Sequence, residues 1–247
     1  QYIFISSVLQ YADLSKPGIR EDNPSAQGNF TGNPPLNERT YGPLKAMCER
    51  EVLRVFSERA TILRPGYLVG QRDRSERFPT WVKRASLGGV MLVPESCSGA
   101  WQFIDTRDMA VWIISLIEKC ITGIFNVTGP DQRECAGDLI DRVVNAVGAN
   151  TTIRRIDADH LREAGGGRWL DLADWADPPV HLRGVYEVSI EKAKLAGLVF
   201  RPLEQTVQET LASLAHVPDS WHGSRSAIAD YLIQEAKILK ACSRAKW

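Results

Sequence analysis

The sequence lacks a charge of either sign in excess: its 247 residues carry 30 Lys+Arg against 30 Asp+Glu. That balance removes the broad attraction on which non-specific nucleic-acid or anionic-membrane binding depends, so neither partner is expected. No apolar run reaches the roughly 18 residues of a membrane span, and the first residues do not read as a signal peptide. The five cysteines (Cys48, Cys97, Cys120, Cys135 and Cys242) are odd in number and scattered, with no Cys-x-x-Cys pair. A disulfide framework or zinc site needs closer, paired spacing, so reduced, buried thiols in a cytoplasmic protein are expected. The four histidines (His160, His181, His216 and His222) show no metal-ligand spacing either. Internal repeats and low-complexity segments are absent, and 44% hydrophobic with 24% charged residues excludes disorder as a description of the whole. What is present is enough chain for a sizeable core, in one large or two modest domains. It opens Gln-Tyr-Ile-Phe-Ile-Ser-Ser, without methionine and already inside a strand-like run. Such a start is expected of a fragment, a processed chain, or one whose beginning lies elsewhere.

Tyr2 to Ser6 is short, apolar and rich in β-formers, which predicts a buried strand. Leu14 to Thr40 reads as a long loop, broken by Pro17, Gly18, Pro24, Gly28, Gly32, Pro34 and Pro35. A helix is predicted from near Tyr41 with Pro43 in its first turn, and its apolar Leu44, Met47, Cys48, Val52, Val55 and Phe56 define one buried face. Thr61 to Leu63 is the next strand, ending at Arg64-Pro65-Gly66. Strand, loop, helix and strand make one βαβ unit, which favours a parallel sheet.

Further on, the periodicity predicts helices over 78–88, 108–119 and 137–147, and strands over 90–93, 102–104, 123–127 and 152–156. The helix from Asp108 is so apolar that burial on several sides is expected. Gly165 to Arg183 reads as an irregular lobe. Ser189 is expected to cap a helix that Gly197 closes, and two more helices are expected over 203–216 and 226–240.

Three features near the start can carry chemistry together. Ser6-Ser7 ends the first strand, Tyr41 and Lys45 stand four apart at a helix start, and Arg64-Pro65-Gly66 ends the next strand. Residues four apart share a helical face, so the phenol of Tyr41 and the ammonium of Lys45 can point into one site. A neighbouring cation favours phenolate over phenol. Ser7, at the carboxyl end of a parallel strand, would lie where such sheets place ligands, its hydroxyl able to hold a substrate oxygen beside that of Tyr41. Together they would move a proton while a hydride leaves or reaches a carbinol carbon. On spacing alone, Tyr-x-x-x-Lys is more often a helix start with a solvated lysine.

The surrounding words resemble a known family. Tyr2-Ile-Phe-Ile-Ser-Ser-Val-Leu-Gln-Tyr-Ala-Asp13 is similar to the fifth strand and serine turn of extended short-chain dehydrogenases/reductases, the epimerase/dehydratase branch. Tyr41-Gly-Pro-Leu-Lys-Ala-Met-Cys-Glu49 resembles that family's active-site helix, and Leu63-Arg-Pro-Gly-Tyr-Leu-Val-Gly70 the end of its sixth strand. Gln102 to Ala110, Gly123 to Pro130 and Arg201 to Thr206 resemble further blocks in the same order. The resemblance implies an α/β, Rossmann-like parallel sheet with a smaller α+β substrate-binding lobe. The core is expected over 1–70 and 106–130, and the lobe over 71–105 and 131–247. It also implies NAD or NADP as cofactor, a small-molecule substrate, and catalytic roles for Ser7, Tyr41 and Lys45. Ser6, Tyr41, Lys45, Pro65, Gly66 and Leu68 fall at cofactor-contacting positions.

The sequence departs from the family in two places. No glycine-rich turn of GxGxxG spacing occurs in it, since Gly165-Gly166-Gly167 neither follows a strand nor has that spacing. The family's first four strands are therefore not expected in this chain, and the edge of the strand at Tyr2 would need cover, from a homodimer partner, a second chain or a rearranged segment. Trp101 stands where members acting on nucleotide sugars usually carry a phosphate-binding arginine, which argues against such a sugar. The expectation is an NAD(P)-dependent oxidoreductase or epimerase acting on a hydroxyl or ketone carbon. The alternative is a non-catalytic or split relative that serves as a binding or scaffold module. Asp73 to Arg77 reads as a solvated charged turn, and Arg107 and Asp108 as a cap or structural ion pair.

Overall fold

The structure, a computed structural model, describes residues 1–73, 75–95, 100–129, 135–163, 166, 169, 179–214 and 227–244. Along the chain run β1 (Tyr2–Ile5), α1 (Glu38–Phe56), β2 (Ala60–Pro65), β3 (Tyr67–Val69), α2 (Arg77–Ser86), β4 (Gly89–Pro94), β5 (Phe103–Asp105) and α3 (Thr106–Glu118). There follow β6 (Gly123–Val127), α4 (Ala136–Val147), β7 (Thr151–Ile156), α5 (Ala158–Glu163), α6 (Glu191–Leu195), α7 (Leu203–Leu214) and α8 (Ala227–Arg244). They belong to two compact units. The first is Gln1–Leu68, Ala100–Arg133 and Pro178–Phe200; the second is Val69–Gly99, Glu134–Asp177 and Arg201–Trp247.

The first unit is built on a parallel sheet of order β1-β2-β6, the α/β arrangement predicted from the sequence. Register pairs Phe4 with Ile62 and Ile62 with Ile124, while Arg64 pairs with Asn126. Side chains alternate across a strand, so Phe4, Ile62 and Ile124 share one face with Ser6, Arg64 and Asn126 two residues on. That face therefore changes from apolar to polar toward the carboxyl ends of the strands. α1 lies over it, packing Val52 and Phe56 on the apolar row. The opposite face holds Leu63, Phe125 and Val127 against Met109, Trp112 and Leu116 of α3 and Ala193 of α6.

Asn37 starts α1 earlier than the sequence predicted. Its Oδ1 accepts the amides of Arg39 (3.0 Å) and Thr40 (3.1 Å), and Thr40 Oγ1 accepts that of Asn37 (3.0 Å). With the cap set there, Pro43 falls inside the helix rather than in its first turn. Two further corrections concern helices. α3 buries a single stripe, and Val111, Ile114 and Ile117 are exposed, because only one of its faces meets the sheet. Ile190, not Ser189, precedes α6 and gives no side-chain cap; the Ser189 carbonyl instead accepts from Asn126 Nδ2 (3.0 Å). Gly197 does close the helix, at φ +90°. Most of the irregular lobe expected over Gly165 to Arg183 lies outside the described residues.

In the second unit β4 and β7 pair in parallel. Arg84 of α2 forms an ion pair with Glu235 of α8, both side chains buried. Glu235 Oε1 also accepts the Leu92 amide of β4 (2.8 Å), and Arg84 donates to the carbonyls of Gly88 and Val90. Burial pushes the Glu235 carboxyl up, against the pull of the Leu92 amide and Arg84. In the turn expected to be solvated, Ser75 is exposed but Asp73 is half-buried: burial raises its carboxyl, while one oxygen accepts the Ser75 amide (2.8 Å).

Candidate active site

The carboxyl ends of β1 and β2 carry most of the residues singled out by the sequence. Ser6 continues β1, its amide donating to Leu63 O (2.6 Å), and its buried hydroxyl has no hydrogen-bond partner among the described residues. Ser7 is extended (φ −162°, ψ 150°), and its Oγ accepts the Leu9 amide (3.2 Å), so it caps the 3-10 turn Val8–Gln10. That bond uses a lone pair and leaves the hydroxyl hydrogen free to be donated.

α1 approaches this turn closely because residue 42 is glycine. A Cβ at Gly42 would stand 2.1 Å from Leu9 O, well inside contact distance. The first turns of α1, with Tyr41, are thereby set against the serine turn. Lys45, one helical turn after Tyr41, reaches the end of β1: its Nζ donates to Ile5 O (2.8 Å), 5.8 Å from the Tyr41 ring centroid and 5.1 Å from that of Phe4. Ser6, Ser7, Tyr41 and Lys45 thus gather at one rim. Pro65 ends β2, and a Cβ at Gly66 would meet Thr128 Oγ1 at 2.6 Å, so only glycine lets the strand end pass beneath that threonine. Leu68 lies on β3 with its side chain partly exposed.

Beneath the rim is a buried polar network that sequence reasoning missed. Arg64 grips Glu49 of α1 through Nε (3.0 and 3.2 Å) and Nη2 (2.7 Å), and its Nη1 donates to Tyr11 Oη (2.8 Å) and Glu21 O (3.0 Å). Tyr11 in turn donates to Asn126 Oδ1 (2.7 Å), and the Asn126 amide donates to Glu21 Oε1 (2.9 Å). Burial pushes the Tyr11 phenol up to about 12, against the opposing effect of Arg64. Burial works against the Arg64 charge, but Glu49 and Tyr11 outweigh it and hold the guanidinium's proton more tightly. The available signal was that Glu49 follows Lys45 by four residues, on the face already assigned to Tyr41.

Elsewhere in this unit Trp101 stacks on Tyr67 (centroids 5.3 Å apart), which stacks on Tyr186 (5.5 Å). Gln102 pairs its amide with both backbone groups of Val188 (2.9 and 3.1 Å). Arg107 forms its ion pair with Asp105, the residue that caps α3. Among the described residues no group of His, Cys, Asp and Glu could hold a metal ion. Nor is any described helix long and apolar enough to cross a membrane.

The sequence profile of the NAD dependent epimerase/dehydratase family matches residues 1–128, just over half the chain. The protein belongs to that family. No curated protein matches significantly. Solved structures of similar fold include RMD from Pseudomonas aeruginosa complexed with NADPH, at 14% identity and TM-score 0.56, covering 85% of this chain and 65% of that one. UDP-glucuronic acid 4-epimerase from Bacillus cereus in complex with NAD matches at 15% identity and TM-score 0.54, over 87% and 61%. WbmG from Bordetella bronchiseptica in complex with NAD and UDP matches at 18% identity and TM-score 0.56, over 87% and 59%. The chain therefore spans less than two thirds of the length of these structures.

Proposed function

We propose that the protein is an NAD(P)-dependent oxidoreductase or epimerase acting on a hydroxyl- or ketone-bearing carbon of a small molecule, with Ser7, Tyr41 and Lys45 as its catalytic groups. The observation that carries this reading is Lys45, whose ammonium stands between the Tyr41 ring and the carboxyl end of β1, beside Ser6 and Ser7. The rim fits the nicotinamide–ribose end of the cofactor. Among the described residues Lys45 has used one of its three donors and the Ser6 hydroxyl has no partner, and Gly66 adds no side chain. The fit extends to that end alone, since no glycine-rich turn for a pyrophosphate occurs in these 247 residues.

When bound, the nicotinamide supplies the hydride acceptor or donor. The Tyr41 phenolate takes the proton of the substrate hydroxyl as its carbon becomes a carbonyl, and returns it in the reverse direction. Lys45 stabilises the negative charge on that oxygen. Ser7 donates its remaining hydroxyl hydrogen to the substrate oxygen and fixes its place. Positioned proton transfer of this kind contributes about 10²–10⁴-fold to rate. Tyr41→Phe is expected to cost turnover on that order while leaving the circular-dichroism spectrum and thermal midpoint unchanged. Turnover that survives in the folded variant would remove Tyr41 from the mechanism.

A further inference from the structure

We infer that Glu49 and Arg64 are positioning residues of this site: their ion pair sets the place and rotation of the Tyr41–Lys45 face of α1 relative to the serine turn. The inference rests on the reading of Lys45 and Tyr41 given above. The side chains of Arg64 and Glu49 are almost fully buried, at 3% and 4% exposure. Burial of such a pair is a poor route to stability alone, because desolvation cancels much of the attraction and apolar packing serves as well. A planar fork on a carboxylate does supply a fixed geometry, in distance and in rotation at once.

The placement of this fork matters. Glu49 follows Lys45 by one helical turn and Tyr41 by two, so a rotation of α1 that moves one of the three moves all. The same guanidinium holds Tyr11, at the end of the turn that Ser7 caps, and the backbone of Glu21. Arg64 itself is fixed in β2, one residue before Pro65. The helix that bears the phenol and the turn that bears the serine are therefore both referred to a single rigid group on the sheet. Lysine could keep the charge at 64 but could not satisfy Glu49, Tyr11 and Glu21 together from one nitrogen in this geometry.

The test reads Tyr41 without substrate or cofactor. Tetranitromethane nitrates phenolate, so the rate at which Tyr41 is nitrated, followed by peptide mass at fixed pH, reports how well Lys45 supports that oxygen. Lys45→Met gives the rate without support. Glu49→Asp keeps the charge balance but shortens the reach by one methylene; Arg64→Lys keeps the charge but loses the fork. Both are expected to remain folded by circular dichroism and to nitrate Tyr41 several-fold more slowly than the parent, approaching Lys45→Met. If they nitrate at the parent rate while Lys45→Met is slow, Glu49 and Arg64 only stabilise the fold and the inference is overturned. If Lys45→Met itself nitrates at the parent rate, it is the reading of Lys45 that fails, and the inference falls with it. Loss of the folded state in both conservative variants would also overturn it, since a positioning role requires the fold to survive them.

Discussion

Tyr11 ties the residues of the rim to a measurable pH dependence. In the unfolded chain its phenol releases a proton near pH 10, whereas in the folded protein burial raises that to about 12. Between those values the folded state binds more protons, so stability is full below pH 10 and falls as pH rises toward 12. The loss from this group is on the order of 2–3 kcal/mol. Chemical denaturation at pH 9 and pH 12 should show a smaller drop in Tyr11→Phe than in the parent, and an equal drop would contradict the assignment. That Tyr41 and Lys45 share a helical face could be read from their spacing, but it was the resemblance of the surrounding words, not the spacing, that singled them out as candidates. Tyr11, Glu49, Arg64 and Asn126 were not, because charged and polar residues are by default solvated. Only the strand register, which aligns Arg64 with Asn126 under α1, shows that they are buried together.

α1 is the element on which the site depends, and its inward stripe explains how. The residues it buries are Gly42, Ala46, Glu49 and Val52, a sequence that runs from small, through charged, to apolar along the helix. Gly42 lies against the serine turn, Glu49 meets Arg64, and Val52 meets the apolar row of the sheet. Gly42→Ala would drive a methyl group into Leu9 O and force the helix away from the turn. Overpacking of this kind costs about 1–3 kcal/mol. A lowered thermal midpoint together with impaired turnover is expected, and a variant as stable and active as the parent would show that the close approach is not needed. That a helix forms here was readable from its periodicity, but its inward face and its start were not: Cys48 and Val55, expected on the buried face, are exposed, while Glu49 is buried. Asn37 and Thr40 close the cap through an amide and a hydroxyl, without the glutamate that usually marks such a box. α3 misled in the other direction, since apolar composition says how much surface is available for burial and not how much the sheet covers.

At the scale of the molecule, the parallel sheet of the first unit followed from one βαβ pattern, because that pattern admits few connections. The second unit gave no such signal. β4 and β7 pair across a stretch of chain that belongs largely to the first unit, and the Arg84–Glu235 pair links residues far apart in sequence. What the proposed function requires lies in the first unit, where Ser6 and Ser7 follow β1 and Lys45, 5.8 Å from the Tyr41 ring centroid, reaches the carbonyl of Ile5. The most direct measurement is a titration of the protein with NADH and NADPH, followed by nicotinamide fluorescence, beside Lys45→Met. The account predicts saturable binding that the substitution weakens by about tenfold or more, the value of a hydrogen bond from a charged donor. Equal affinity in the two proteins, or no binding by either at millimolar cofactor, would contradict it.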